Sequence, residues 1–174
     1  MKKLSLEELG RQSVEDFKAL EKVKITVVLD NIRSMHNVGS AFRTSDAFAI
    51  ERLYLCGITA KPPHREIHKT ALGAEKSVNW QHFESIEDGI LKLKKEEYKI
   101  ILVEQTSESV MLNQFNWKPG EKLALIFGNE VFGVSDEAIP LADIALEIPQ
   151  YGTKHSFNVS VSMGIVLWEL VRGQ

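Results

Sequence analysis

Three short segments of this 174-residue chain concentrate side chains able to hold and polarise a ligand. Residues 30–43 read D-N-I-R-S-M-H-N-V-G-S-A-F-R, residues 128–135 read G-N-E-V-F-G-V-S, and residues 148–162 read I-P-Q-Y-G-T-K-H-S-F-N-V-S-V-S. Each comes at the end of an apolar run and gathers small, polar or turn-forming residues. Amides and hydroxyls orient polar ligands, glycines let backbone N–H groups approach closely, and a guanidinium stabilises developing negative charge.

The common templates for such loops are missing. Neither G-x-G-x-x-G nor G-x-x-x-x-G-K-[ST] occurs, which argues against nicotinamide and P-loop chemistry. Only Gly39 follows the first apolar run, where Rossmann-type methyltransferases carry a glycine-rich loop. His64, Glu66 and His68 suggest a metal, but H-R-E-I-H is not H-E-x-x-H, and Arg65 and Lys69 repel a cation. A polar turn or helix start is the preferred reading, and no metal is expected. His155 beside Ser156 lacks the G-x-S-x-G elbow of a hydrolase. Cys56, in L-Y-L-C-G, reads as a small buried residue at a strand end, with no neighbour in sequence placed to activate it.

The three segments need a scaffold. Apolar or β-branched runs predict strands over 25–29, 52–55, 78–83, 100–103, 123–127 and 144–148. Helical periodicity predicts helices over 38–49, 66–72, 86–97, 135–141 and 157–171. A further helix is expected over 5–20, where Ser5 and Glu8 stand at capping-box spacing and Leu6, Leu9, Val14, Phe17 and Leu20 recur at helical intervals. The alternation predicts an α/β fold, a mainly parallel sheet flanked by helices, which binds ligands beyond the carboxyl ends of its strands. Without repeats or a Gly/Ser-rich linker, one domain over 1–174 is expected, with residues 1–24 as a helical N-terminal extension.

Composition narrows the class. Hydrophobic residues make up 44% and charged residues 26%, ordinary for a globular domain. No apolar stretch reaches the roughly 18 residues that cross a bilayer, no secretory leader is visible, and Cys56 alone allows no internal disulfide, so a cytoplasmic protein is expected. The formal net charge of -3 argues against a generic polycation. That total is unevenly spread: residues 31–76 carry seven basic against four acidic side chains, and residues 105–150 carry two against seven. Any nucleic-acid contact belongs to the first of these spans.

In this order, N-V-G-S-A-F-R-T (37–44), L-I-F-G-N-E-V-F-G-V-S (125–135) and I-P-Q-Y-G-T-K-H-S-F-N-V-S-V-S (148–162) resemble the signature motifs of the SpoU/TrmH family of RNA 2'-O-methyltransferases in the SPOUT superfamily. The resemblance runs over about residues 27–169 and implies S-adenosyl-L-methionine as methyl donor and a ribose hydroxyl of tRNA or rRNA as acceptor. It also implies a C-terminal trefoil knot, over approximately 123–172, which pattern reasoning alone would not choose because knots are so rare. A homodimer is implied as well. The 157–171 helix suits its interface, with Val159, Met163, Val166, Leu167 and Leu170 on one stripe, although packing on its own sheet also accounts for the stripe.

The resemblance assigns roles residue by residue. Arg43 is the expected centre of catalysis, as base with the help of the substrate's phosphate or as an electrostatic clamp on the alkoxide; the alternative is a salt bridge with Asp46 or Glu51. Asn37 would orient Arg43 or the ribose, and would also serve as a helix N-cap. Glu130 would fix Arg43 or a substrate group, or be only a helix-entry charge. Ser156 and Asn158 would complete the catalytic pocket. Val103, Glu104, Gln105, Gly128, Asn129, Ile148, Pro149 and Phe157 are expected around the cofactor, mainly through backbone atoms. From the charge distribution rather than the resemblance, Arg33, Arg65 and Lys69 are expected on RNA phosphates, Arg65 and Lys69 sharing a helical face if that segment is helical, with an ordinary solvated face as the alternative. Two rival readings remain at this point: a noncatalytic RNA-binding module of the same fold, and a different small-molecule hydrolase or transferase in the same pocket.

Overall fold

The run V-K-I-T-V-V-L-D forms strand β1 (Val23–Asp30), in which every residue from Ile25 onward is buried. Burial on both faces of a parallel sheet explains why the run is apolar almost without alternation. The computed structural model describes residues 1–5, 8–10, 12–118 and 120–172. Helix α1 (Val14–Ala19) precedes β1. After it come α2 (Met35–Ala47), β2 (Ile50–Cys56), α3 (Arg65–Ala71), α4 (Ala74–Ser77), β3 (Trp80–Phe83), α5 (Ile86–Lys95) and β4 (Lys99–Val103). The chain continues through β5 (Val110–Met111), β6 (Leu123–Phe127) and β7 (Ile144–Glu147) to α6 (Val159–Val171).

Among the described residues seven strands form one parallel sheet in the order β3-β2-β1-β6-β4-β7-β5. Val27 lies between Leu53 of β2 and Leu125 of β6, and these three pack one face against Val38 and Phe42 of α2, Ile67 of α3 and Val166 and Leu167 of α6. Val28, Ile100 and Ile126 pack the opposite face against Ile90 and Leu93 of α5. Each fully buried aliphatic side chain contributes about 1.5–3 kcal/mol, so the two layers hold the sheet rigidly. Because the strands are parallel, Asp30, Val103, Phe127 and Glu147 all end on one edge, where the three polar segments follow. No helix among the described residues is long and apolar enough to cross a membrane.

All six expected strands form; the two-residue β5 was not expected. Other differences have local causes. In place of one helix over 5–20 there is a turn and the short α1: Ser5 and Glu8 do exchange hydrogen bonds (Ser5 N–H to Oε2 2.8 Å, Glu8 N–H to Ser5 Oγ 3.2 Å), but Gly10 takes a left-handed φ of 55° and ends the turn. Leu9, Val14 and Leu20 are exposed, and Leu6 lies outside the described residues. The expected helix over 135–141 is reduced to a 3-10 turn at Ile139–Leu141, because Pro140 has no N–H to return to Asp136. Helix α2 starts three residues early, capped by Ser34, whose Oγ accepts the Asn37 N–H at 3.3 Å; Asn37 is therefore not the N-cap. The stripe expected to face a second protomer, Met163, Val166, Leu167 and Leu170, is buried in this chain's own core, and α6 instead exposes Val161 and Trp168.

Candidate active site

The loops after β4, β6 and β7 and the start of α6 enclose a cavity of about 890 Å³, within the range of small-molecule and cofactor sites. Val103, Glu104 and Gln105 form one wall, Gly128, Asn129 and Glu130 a second, and Ile148, Ser156, Phe157 and Asn158 a third. Pro149, expected here, does not line it. The second wall is a tight hairpin in which Asn129 and Gly133 exchange backbone hydrogen bonds of 2.8 and 3.0 Å. A Cβ on Gly128 would collide with the backbone of Gly133 and Val134, so only glycine permits this closeness. The Asn129 side chain caps the tip, accepting from the N–H groups of Val131 (2.8 Å) and Phe132 (3.2 Å).

Beside the cavity runs a directed chain of side-chain hydrogen bonds. Ser160 donates its hydroxyl (2.6 Å) and N–H (3.0 Å) to Asn158 Oδ1, the cap of α6. Asn158 Nδ2 donates to Asn37 Oδ1 at 3.2 Å, and Asn37 Nδ2 donates to Glu130 Oε1 at 2.9 Å. Glu130 also accepts the N–H groups of Arg33 (3.0 Å) and Ser34 (3.1 Å). Partial burial opposes its charge, but these N–H groups and the Asn37 amide outweigh that and hold its carboxyl below the usual range. Glu130 thus fixes Asn37 and the entrance to α2, not Arg43. Each of the three motifs contributes a member to this chain.

Arg43 stands elsewhere. It is exposed six residues beyond Asn37 on α2, and the cavity wall does not include it. Neither proposed salt bridge is among the ion pairs of the described residues: Glu51 is held by Arg52 (2.9 Å) and Tyr98 (2.6 Å), and Asp46 accepts from Ser77. Arg33 is exposed on the same side as the α2 entrance, and Arg65 and Lys69 are exposed on α3. Lys69 is held by Glu66 at 2.7 and 2.9 Å, which removes part of its attraction for phosphate. Arg52, counted in the basic span, is internal to a cluster with Glu51 and Glu96. His64 caps α3, Glu66 pairs with His36, and His68 pairs with Glu75, so these side chains are engaged separately. Cys56 is buried, and burial, with Asp30 and Asp88 nearby, pushes its thiol up to about 12.

Sequence reasoning missed the joint beneath the site. Asp30 Oδ2 accepts the Ser135 N–H at 2.7 Å and Oδ1 accepts Asn31 Nδ2 at 2.9 Å. Asn31, at φ 54°, also donates to Ser135 Oγ (3.2 Å), accepts the Ile58 N–H (3.1 Å) and offers its carbonyl to Asn129 Nδ2 (2.6 Å). The available signal was Asp-Asn closing a buried strand, since Asn tolerates left-handed backbone and both carry short polar side chains.

Comparison with known proteins agrees with this geometry. Residues 24–168 match the model of the SpoU rRNA Methylase family. A curated Aquifex aeolicus tRNA (guanosine(18)-2'-O)-methyltransferase is 33% identical over 152 residues, 85% of this chain and 69% of that protein. The Borreliella burgdorferi protein of the same name is 29% identical over 147 residues, 84% of this chain and 66% of the relative. Among solved structures, an AdoMet-bound rRNA methyltransferase from Sinorhizobium meliloti superimposes with a TM-score of 0.81 at 25% identity, covering 90% of this chain and 60% of that one. The chain thus spans about two thirds of these relatives. With its motifs meeting at one sheet edge and the family model matched from β1 to α6, this chain belongs to the SpoU rRNA methylase family.

Proposed function

We propose that this protein transfers a methyl group from S-adenosylmethionine to a ribose 2'-hydroxyl of tRNA or rRNA. The observation that carries the reading is one cavity lined by the second and third motifs, with the first motif joined to its side through the Asn158–Asn37–Glu130 chain. The relatives' names and the AdoMet-bound neighbour support it. The cavity suits the cofactor: Gly128 lets backbone approach closely at its wall, and Ile148 and Phe157 offer apolar surface to a purine. When bound, the cofactor supplies an electrophilic methyl on a sulfonium, which leaves as a neutral thioether.

The chain's own residues must place the hydroxyl and take up the charge as its proton leaves. A hydroxyl titrating about five units above neutral costs roughly 7 kcal/mol to ionise, so developing alkoxide needs stabilisation. Asn37 and Asn158, locked by Glu130 and Ser160, orient the ribose. Ser156 lies at the same mouth. Arg43 clamps the alkoxide and the adjoining phosphate through its planar guanidinium, and the hydroxyl proton passes to solvent. It does so across a homodimer interface built on the exposed Val161 and Trp168 face of α6, which explains its place outside its own cavity. Arg33, Arg65 and, more weakly, Lys69 hold RNA phosphates. Residues 123–172 form the trefoil knot of the family within a single domain over 1–174, and an RNA substrate of this kind places the reaction in the cytoplasm.

Titration with S-adenosylhomocysteine tests the reading first: saturable binding is expected, and none would overturn it. Mapping 2'-O-methylated positions lost from total tRNA and rRNA when the protein is absent then identifies the substrate. Cofactor binding without any lost position would favour the noncatalytic RNA-binding module.

A further inference from the structure

Glu104 leaves the end of β4 with its N–H bonded to Leu146 O at 3.1 Å, so its side chain enters the cavity wall from a fixed point of the sheet. Its carboxylate is shared. Oε1 accepts the N–H of Gln105 at 2.9 Å, and Oε2 accepts the N–H of Val134 at 3.1 Å, at the far end of the 128–134 hairpin. Gly133 sits beside it at φ 72°, and a Cβ there would collide with Glu104 Oε2. Gln105 continues across the mouth and donates to His155 O at 2.8 Å. Two walls of the cavity are therefore referenced to the end of one buried strand.

We propose that Glu104 is the positioning residue of this cavity: its carboxylate fixes the 128–134 hairpin against β4, so the cofactor enters a site already shaped. This rests on the cavity being the cofactor site. Hydrogen bonds to an ionised acceptor are stronger than neutral ones, and ordering a loop beforehand removes that cost from binding. A carboxylate suits the position because both groups facing it are N–H donors. An amide would accept from one and turn its own N–H against the other.

Amide hydrogen exchange in the ligand-free protein tests this without any cofactor. In Glu104→Ala, exchange over the 128–134 hairpin should quicken about tenfold while β1 and β6 keep wild-type rates, and affinity for S-adenosylhomocysteine should fall about tenfold. Glu104→Gln should fall between. Gly133→Ala should reproduce Glu104→Ala, yet add only its own backbone strain in the Glu104→Ala background, because the oxygen it would strike is gone. A general loss of stability would quicken β1 and β6 as well and make the two substitutions additive, overturning the proposal. Unchanged exchange over the hairpin would also overturn it, as would quickened exchange with unchanged affinity. If the wild-type protein binds no S-adenosylhomocysteine, the cofactor reading fails, and the exchange comparison alone decides whether Glu104 fixes the hairpin.

Discussion

The cavity side and the α2–α3 side of this sheet edge are built on opposite rules. Around the cavity, polar side chains spend their bonds on one another: Asp30 on Ser135 and Asn31, Glu130 on Asn37 and two backbone N–H groups, Asn158 on Asn37. Across the ridge of α2, Arg43 and Arg65 are exposed. The first region is shaped before any ligand arrives, which favours a small rigid cofactor. The second leaves both guanidiniums open to solvent, as the proposed RNA substrate would require. A site that moves a group from a small donor to a large polyanion needs both.

Separating the two regions gives the largest expected effect. Arg43→Ala should lower RNA methylation by about 10²–10³-fold, with melting temperature and S-adenosylhomocysteine affinity retained; unchanged turnover would remove Arg43 from its role. Co-expressed with Asn158→Ala, it should recover about a quarter of wild-type activity if two protomers share each site, and none if they do not. Asn31→Ala attacks the cavity side instead. It should destabilise by about 2–4 kcal/mol in denaturant unfolding, from lost buried hydrogen bonds and a left-handed φ, whereas Asn31→Gly should recover the backbone part, about 1 kcal/mol.

Smaller effects sharpen the contrast. Because the Glu130 carboxyl is held below its ordinary value near 4.5, its stabilisation is present above that pH and lost as pH falls through the lowered value. Glu130→Gln should therefore be less stable than wild type at pH 7 and converge with it in acid, seen as a flatter melting temperature against pH below about 4.5. The smallest difference lies on α3. Arg65→Ala should reduce the salt dependence of RNA binding by about one unit of slope, and Lys69→Ala by less, because Glu66 already holds Lys69. Equal slopes would show that the ion pair opens on binding.

What the sequence disclosed follows the reach of its signals. Strand periodicity is local, and the six expected strands form. Of the residues that the resemblance placed around the cofactor, all but Pro149 line the cavity, Val103, Glu104 and Gln105 from outside the three motifs. Partnerships were not legible. Glu130 was expected to fix Arg43 or a substrate group, or to be only a helix-entry charge; its side-chain partner is Asn37, 93 positions away, and no pattern along the chain encodes that distance. The α2 cap was misplaced for the opposite reason: Ser34 and Asn37 are both good caps three residues apart, and in the fold Ser34 Oγ accepts the Asn37 N–H while Asn37 Oδ1, the atom a cap would use, accepts from Asn158. The apolar stripe of α6 announced burial without saying against what.

The Asp30–Ser135 bond joins residues 105 positions apart. During synthesis, β1, α2 and β2 leave the ribosome long before their partner loop exists, so the catalytic edge stays open until β6 and the hairpin beyond it have been made. Contacts of such separation form slowly. In refolding, recovery of cofactor binding should lag recovery of helical circular dichroism, making methylation a report that the chain has finished folding.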